Sequence, residues 1–128
     1  MPLMIYPVGA GEPPPPAVIT ARYFFAVPGL LSSFDNEDIV GITGQDIPIS
    51  TVEATLEVAE DDDVAFDVVL VNRTTGVVTT TLKTCTIPTG QLLLNDSFAP
   101  AIPDATLKVK ILVQNVGTTG KSLGVLVK

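Results

Sequence analysis

Apolar and polar side chains alternate with a period of two along most of this sequence. Residues 51–58 read TVEATLEV and residues 106–114 read TLKVKILVQ, and both alternate almost without interruption. Since successive side chains of a β-strand point to opposite faces, this pattern predicts strands with one buried and one solvated face. No segment sustains a 3.6-residue period, and at most residues 30–38 are expected to form a helical turn.

Further strands follow from β-branched runs and turn signals. Residues 64–71, VAFDVVLV, carry one charge, which predicts a central strand covered on both faces. The turn residues NRTTG at 72–76 join it to a β-branched run at 77–87, and this is the clearest predicted hairpin. A second hairpin is predicted at the C-terminus, where residues 115–121 separate 106–114 from 122–128.

The remaining predicted strands are shorter. They cover residues 17–27, 38–44, 46–50 and 91–96, whereas residues 97–105 are expected to form a loop because their two prolines cannot donate to a ladder. Seven to eight short strands with frequent turns predict an all-β fold. We expect a single antiparallel β-sandwich over residues 17–128, with the jelly roll as one arrangement of it.

Residues 1–16, MPLMIYPVGAGEPPPP, differ in composition from the rest of the chain. They hold six of its eleven prolines, which favour extended polyproline II and a reach of about 50 Å. Apolar residues in such an arm need to be covered, so we predict that it binds a partner. The predicted binding residues are Leu3, Ile5, Tyr6, Val8, Pro13, Pro14, Pro15 and Pro16. Packing on its own domain and recognition by a polyproline-binding module are the alternatives.

The start of the chain has neither a basic leader nor a continuous apolar core, so we expect a primary translation product made in a cytoplasm. The single cysteine, Cys85, agrees with a reducing compartment and is expected to be a buried bystander. No run approaches the roughly 18 apolar residues that a membrane helix needs, so no membrane partner is expected.

Charge is unevenly distributed along the chain. The net charge is −7, and residues 35–67 hold eleven acidic residues and no basic one. Residues 73–128 hold six basic and two acidic residues. An acidic protein repels phosphate, so no nucleic-acid partner is expected. An acidic half and a mildly basic half suit head-to-tail contacts between neighbouring copies.

No catalytic residues or cofactors are predicted. The chain has no histidine, and it has neither a GxGxxG nor a GxxxxGK[ST] motif. Its acids cluster in turns and on solvated strand faces, where nothing raises their pKa. Two acidic clusters, residues 34–38 and 59–64, offer carboxylate oxygens of the kind that calcium prefers, but neither has EF-hand spacing, so no metal site is predicted. The second cluster is interpreted as a solubilising strand connection.

A carbohydrate-binding or adhesin-like module is the alternative function, because a sandwich is its usual scaffold. Sugar sites commonly stack a ring on an exposed aromatic face. The chain has no tryptophan, and Phe24, Phe25 and Phe66 are expected in the core. An aromatic platform is therefore not expected.

The proline-rich arm MPLMIYPVGAGEPPPP, followed by one acidic β domain without catalytic residues, resembles the small virion structural proteins of tailed phages, particularly capsid decoration or cement proteins. The resemblance lies in architecture. It implies a non-enzymatic virion protein that binds the assembled shell, contacts the major capsid protein or other virion subunits, and forms homo-oligomers, with trimers favoured.

Overall fold

The computed structural model describes residues 22–31 and 38–128, which form eight β-strands. In chain order these are β1 (Tyr23–Leu30), β2 (Asp38–Thr43), β3 (Ile49–Thr55), β4 (Val64–Asn72), β5 (Val78–Ile87), β6 (Leu93–Ala101), β7 (Leu107–Asn115) and β8 (Lys121–Val127). Within these ranges there is no α-helix. It follows that no described helix is long and apolar enough to cross a membrane.

The strands form two four-stranded sheets with the orders β1-β8-β3-β6 and β2-β7-β4-β5. All neighbouring strands are antiparallel. The pairs β1–β8, β2–β7, β3–β6 and β4–β5 are those of one long hairpin wound around a common axis, which is the jelly-roll arrangement. The predicted all-β antiparallel sandwich is confirmed, with jelly-roll topology.

The core lies between the two sheets and is built from the inward positions of the alternating strands. Val64, Phe66, Val68 and Leu70 of β4 are all buried, as the alternation predicted. The largest fully buried side chains include Tyr23, Leu31, Ile49, Phe66, Ile87, Ile111 and Leu123. Each buried aliphatic or phenylalanine side chain stabilises the fold by about 1.5–3 kcal/mol.

Strand β4 is central in its sheet and is covered on its outer face too. The outward-facing Val69 and Val71 are only 1% and 3% exposed. They pair across the ladder with Lys110 and Lys108 of β7, whose aliphatic stems can lie over them. The prediction of a two-sided central strand is confirmed.

The β4–β5 hairpin is also confirmed, and its turn depends on Asn72 and Gly76. The Asn72 side-chain oxygen accepts the backbone N–H groups of Thr74 and Thr75, each at 2.9 Å. Gly76 has a φ of +74°, in the left-handed region that a residue without a Cβ adopts at little cost. Its N–H donates to the Asn72 carbonyl at 2.8 Å.

The predicted C-terminal hairpin is wrong. Strand β7 pairs with β2 and β4, whereas β8 pairs with β1 and β3 in the opposite sheet. Residues 116–120 therefore cross from one sheet to the other. The alternation was read correctly, but a period of two fixes which side chains face the core and says nothing about which strands pair.

The predicted loop at 97–105 is wrong in its first half. Residues 97–101 continue β6, including Pro100. Strand β6 is an edge strand that pairs only with β3, so one side of its backbone has no ladder partner within its sheet. A proline, which lacks the N–H donor, is tolerated at such an edge.

Several predictions lie outside the described residues. They are the arm at 1–16 with all eight predicted binding residues, the start of the predicted first strand at 17–21, and residues 32–37, which include most of the first acidic cluster.

Candidate functional site

The second acidic cluster forms a short turn between β3 and β4, residues 60–63, here called the acidic turn. Its first residue, Glu60, is only 3% exposed. The Glu60 Oε1 atom accepts the backbone N–H groups of Thr119 at 2.9 Å and Gly120 at 2.7 Å. Oε2 is buried and has no hydrogen-bond partner among the described residues. Glu60 thus anchors the acidic turn to the β7–β8 crossing.

Two more carboxylates of the acidic turn are held by threonines. Asp61 accepts the Thr118 N–H at 2.7 Å and the Thr118 hydroxyl at 2.5 Å. Asp63 accepts the N–H and the hydroxyl of Thr89, both at 2.8 Å. These bonds favour the ionised form, so they lower the pKa of Asp61 and of Asp63 below the usual value.

The crossing approaches the acidic turn closely because glycine occupies two of its positions. A Cβ on Gly117 would overlap the Asp61 carboxylate, and a Cβ on Gly120 would lie 2.8 Å from Glu60 Oε2 and closer still to Glu60 Cγ. Only glycine leaves room for both carboxylates at this distance. The sequence interpretation of the cluster as a solubilising connection missed this structural role. The signal was present in VGTTG at 116–120, whose small residues permit close approach to an acidic partner.

No group of three or more His, Cys, Asp or Glu side chains that could hold a metal ion occurs in the described ranges. In the acidic turn, the oxygens of Asp61 and Asp63 already accept bonds from Thr118 and Thr89. The arrangement joins two loops through charge-assisted hydrogen bonds, which are stronger than neutral ones.

At the other end of β4 lies a cavity of about 290 Å³, here called the basic pocket. Its lining contains three of the seven basic residues of the chain. The lining residues are Gly41, Val71, Asn72, Arg73, Gly76, Lys108 and Lys110. Buried Val71 forms an apolar floor, and cations surround it.

Arg73 is fixed at the mouth of the basic pocket by its backbone and by one arm of its guanidinium. Its N–H donates to the Thr106 carbonyl at 2.8 Å, and Nη1 donates to the Ala105 carbonyl at 3.3 Å. A guanidinium has five N–H donors, so the others remain to be satisfied. Lys108 is placed by its ladder position opposite Val71. This geometry suits a carboxylate or another oxyanion.

A second concavity, of about 320 Å³, lies on the outer face of the β1–β8–β3 sheet. It is lined by Phe24, Ala26, Val27, Pro28, Thr55, Ser122, Leu123 and Gly124. Phe24 is 61% exposed, so the expectation that it lies in the core is wrong, whereas Phe25 and Phe66 are buried as expected. The regular alternation at the start of β1 explains this, because Tyr23, Phe25 and Val27 face inward and Phe24 therefore faces outward.

The other exposed apolar side chains also follow the sheet edges. Eight large apolar residues are exposed in the described chain: Phe24, Leu30, Val58, Val77, Val78, Leu92, Leu93 and Ile102. All except Val58 lie in, or next to, the edge strands β1, β5 and β6. Edge strands also carry backbone groups without a ladder partner on one side. Apolar side chains beside such an edge are typical of a surface that becomes covered in an assembly.

Cys85 lies in the core and is fully buried. Burial, with a smaller contribution from Asp96, raises the pKa of its thiol to about 12. A thiol that stays protonated is a poor nucleophile, in agreement with the structural role expected for it.

The chain matches no protein-family model, and no curated protein is significantly similar to it in sequence.

Proposed function

We propose that the protein is a non-enzymatic structural subunit of a virion, which binds to an assembled capsid shell through its N-terminal arm and its β domain and stabilises that shell. In this proposal its partners are the major capsid protein or other virion subunits, together with further copies of itself. This is the role of a capsid decoration or cement protein.

The observation that carries the proposal is the exposure of apolar side chains along the sheet edges. Val78 on β5 and Leu93 on β6, each an edge strand of a different sheet, are 45% and 64% exposed. Monomeric proteins usually protect edges with charges, prolines or bulges, since a bare edge pairs with other chains. Strands β5 and β6 contain two charged residues, Lys83 and Asp96, and one proline among 19 residues, so most of both edges carries neither device.

The topology supports the same proposal. Jelly rolls recur in viral capsid subunits and in lectins, and all their strands except the edges are covered. In sequence the arm is joined by residues 17–22 to β1, which is itself an edge strand.

The proposed mechanism is thermodynamic linkage between binding of this protein and stability of the shell. A protein that binds only the assembled shell stabilises it by RT ln(1 + [L]/Kd) at every site, and many copies multiply a modest contribution. Prolines 13 to 16 would keep the arm extended before it binds, which limits the entropy lost on docking. Leu3, Ile5, Tyr6 and Val8 would then fill apolar grooves on a neighbouring subunit.

Deletion of residues 2–16 tests the proposal. We expect the shortened chain to fold with an unchanged circular dichroism spectrum and to lose incorporation into its particle. A matched variant, Leu93→Ser together with Val78→Thr, should keep the arm and weaken incorporation through the edge strands. Full incorporation of the shortened chain would contradict the role given to the arm.

One observation favours the alternative, a carbohydrate-binding or adhesin-like module. The exposed ring of Phe24 lies beside the hydroxyl-bearing Thr55 and Ser122 in the second concavity. Ser122 has a φ of +56°, an uncommon conformation for a residue with a side chain. A sugar ring could stack on Phe24 while hydroxyls bind its edge.

Two measurements separate the two functions. A glycan binder should lose ligand affinity at least tenfold in Phe24→Ala and keep it when residues 2–16 are deleted. A virion subunit should show the opposite behaviour: it should lose assembly when the arm is deleted and keep it in Phe24→Ala. The Phe24 ring also packs over Gly124, since a Cβ built at that glycine would lie 3.4 Å from Phe24 Cζ. Loss of the ring could therefore affect packing as well as binding. Phe24→Leu is therefore the control for packing.

A further inference from the structure

The charge asymmetry of the sequence becomes an asymmetry between the two ends of the sandwich. The acidic turn directly precedes β4, and Arg73 of the basic pocket directly follows it. Nine residues of extended strand separate the two ends by about 30 Å.

Ladder positions assign most other charged residues to one end or the other. Near the acidic turn lies Glu57, with Lys121 as the basic residue at that end of the described chain. The opposite end holds the acids Asp46 and Asp104 and five basic residues, of which Lys128 is ion-paired with Glu53: Arg22, Arg73, Lys108, Lys110 and Lys128. The molecule is therefore electrically polarised along its strands.

We propose that the basic pocket of one copy binds the acidic turn of a second copy, so that copies associate head to tail. The proposal deepens the proposed function, on which it rests in requiring a chain that assembles with itself. In this pairing the exposed Asp62 carboxylate faces Arg73 and Lys108. Close charge pairs at an interface fix register and speed association.

The acidic turn is suited to such an insertion because it is already ordered. Asp61 and Asp63 are held by threonines of neighbouring loops, so little conformational entropy is lost when the turn binds. Asp62, between them, is exposed, and one of its oxygens accepts only the Asp63 N–H, at 2.8 Å. Asp62 is therefore the residue that we place in the basic pocket.

A second copy fits the basic pocket better than a polyanion does. The whole chain carries a net charge of −7, which repels a distant nucleic acid or acidic polymer. A partner copy turns its acidic end toward the basic end, so the local attraction operates at short range even though both chains are acidic. Such a heterologous contact closes into a ring or continues as a filament, and a trimeric ring results if each copy is rotated by 120°.

Sedimentation equilibrium of the full chain at 20 mM and 500 mM salt tests the proposal. We expect association at low salt that weakens at least tenfold at high salt, because exposed charge pairs are screened. Lys108→Asp and Asp62→Lys should each weaken self-association at least tenfold. A matched reversal outside both charged sites and away from the sheet edges, Glu53→Lys on the central strand β3, should leave it within twofold, with folding of every variant checked by its thermal melt.

Mixing the two variants is the decisive arm of the experiment. Lys108→Asp retains an intact acidic turn and Asp62→Lys retains an intact basic pocket, so an equimolar mixture should form a heterodimer through one unaltered contact, which neither variant can form alone. A chain that is monomeric at both salt concentrations, a mixture that stays dissociated, or an equal loss in Glu53→Lys would overturn the proposal. The proposed function is tested separately, because full incorporation into the particle after deletion of residues 2–16 would contradict it without any change in self-association.

Discussion

The two ends of the sandwich both concentrate charge, and they hold it in different ways. At the acidic end, Glu60, Asp61 and Asp63 accept backbone N–H groups and hydroxyls from two other loops. At the basic end, Lys108 and Lys110 extend from a strand over buried valines and line an open cavity. A charge cluster in a sequence can therefore be part of the fold or can be displayed on its surface, and only the partners of its side chains distinguish the two.

The sharpest test of the structural role of the acidic end is Gly120→Ala. The new Cβ would lie within 2.8 Å of Glu60 Oε2 and would displace the buried side chain. We expect a loss of about 3 kcal/mol in the free energy of unfolding, from crowding and from the lost hydrogen bonds. Urea denaturation followed by circular dichroism measures it.

Gly29→Ala is the control for that substitution. Gly29 has a φ of +72° and open space around its Cβ position, so only backbone strain is added. We expect a loss of about 1 kcal/mol. Equal losses in the two variants would show that the close approach to Glu60 does not matter.

The next largest effect is expected for Glu60→Ala. Removal of the carboxylate leaves the Thr119 and Gly120 N–H groups without their acceptor at a site where Gly120 is buried. An unsatisfied buried donor costs about 1–3 kcal/mol, and we expect about 2 kcal/mol here. Glu60→Gln keeps an acceptor oxygen and should lose about half as much by the same denaturant measurement. An unchanged free energy of unfolding in Glu60→Ala would show that the two loops are held together by other contacts.

Acid should destabilise the protein more through the acidic end than through the basic end. The folded-state pKa values of Asp61 and Asp63 are lowered by their threonine partners, so they lie below the unfolded value near 3.9. Their contribution to stability is therefore complete above about pH 4 and is lost as the pH falls through the lowered values. We expect the melting temperature of Asp61→Asn with Asp63→Asn to depend less steeply on pH between 4 and 2 than that of the unaltered chain.

Asp104 supplies a comparison at the opposite end. Hydrogen bonds from Thr106 lower the pKa of Asp104 in the same way. Asp104→Asn should therefore also reduce the pH dependence of the melting temperature, but by less than the double variant does, because only one carboxylate is removed. If Asp61→Asn with Asp63→Asn leaves the pH dependence of the melting temperature unchanged, the hydrogen bonds from Thr118 and Thr89 are not maintained in solution.

The smallest effect on folding is expected at the basic end. Lys108→Gln should change the free energy of unfolding by less than about 0.5 kcal/mol, because its ammonium group lines an open cavity. Lys128→Gln is a matched control that breaks an ion pair, since its Nζ lies 2.7 Å from Glu53 Oε2, and it should lose about 0.5 kcal/mol. A large loss in Lys108→Gln would make the basic end structural as well.

Much of the secondary structure could be predicted because it depends on local patterns. The alternation in residues 51–58 and 64–71 correctly identified the inward faces of β3 and β4, and NRTTG correctly identified the hairpin turn. The C-terminal hairpin was predicted wrongly because residues 106–114 and 121–127 are adjacent in sequence and belong to opposite sheets. Local patterns do not distinguish a hairpin turn from a crossing between sheets.

The candidate site was less predictable. The acidic cluster and its place between two strands were evident, but the burial of Glu60 depends on residues 119 and 120, about 60 positions later in the chain. Likewise, Phe24 was expected in the core because phenylalanine is apolar, and its exposure follows from the inward placement of Tyr23 and Phe25.

The sequence alone determined that this protein is built of antiparallel strands, which side chains face inward along most of them, and that its charge is divided between two halves of the chain. Only the tertiary structure decided which strands pair, that the two charged regions lie at opposite ends of β4, and that the acidic turn holds a distant loop. The physical reason is range. Alternation and turn chemistry act between residues a few positions apart, whereas sheet pairing and the burial of Glu60 depend on contacts that exist only once the chain has folded.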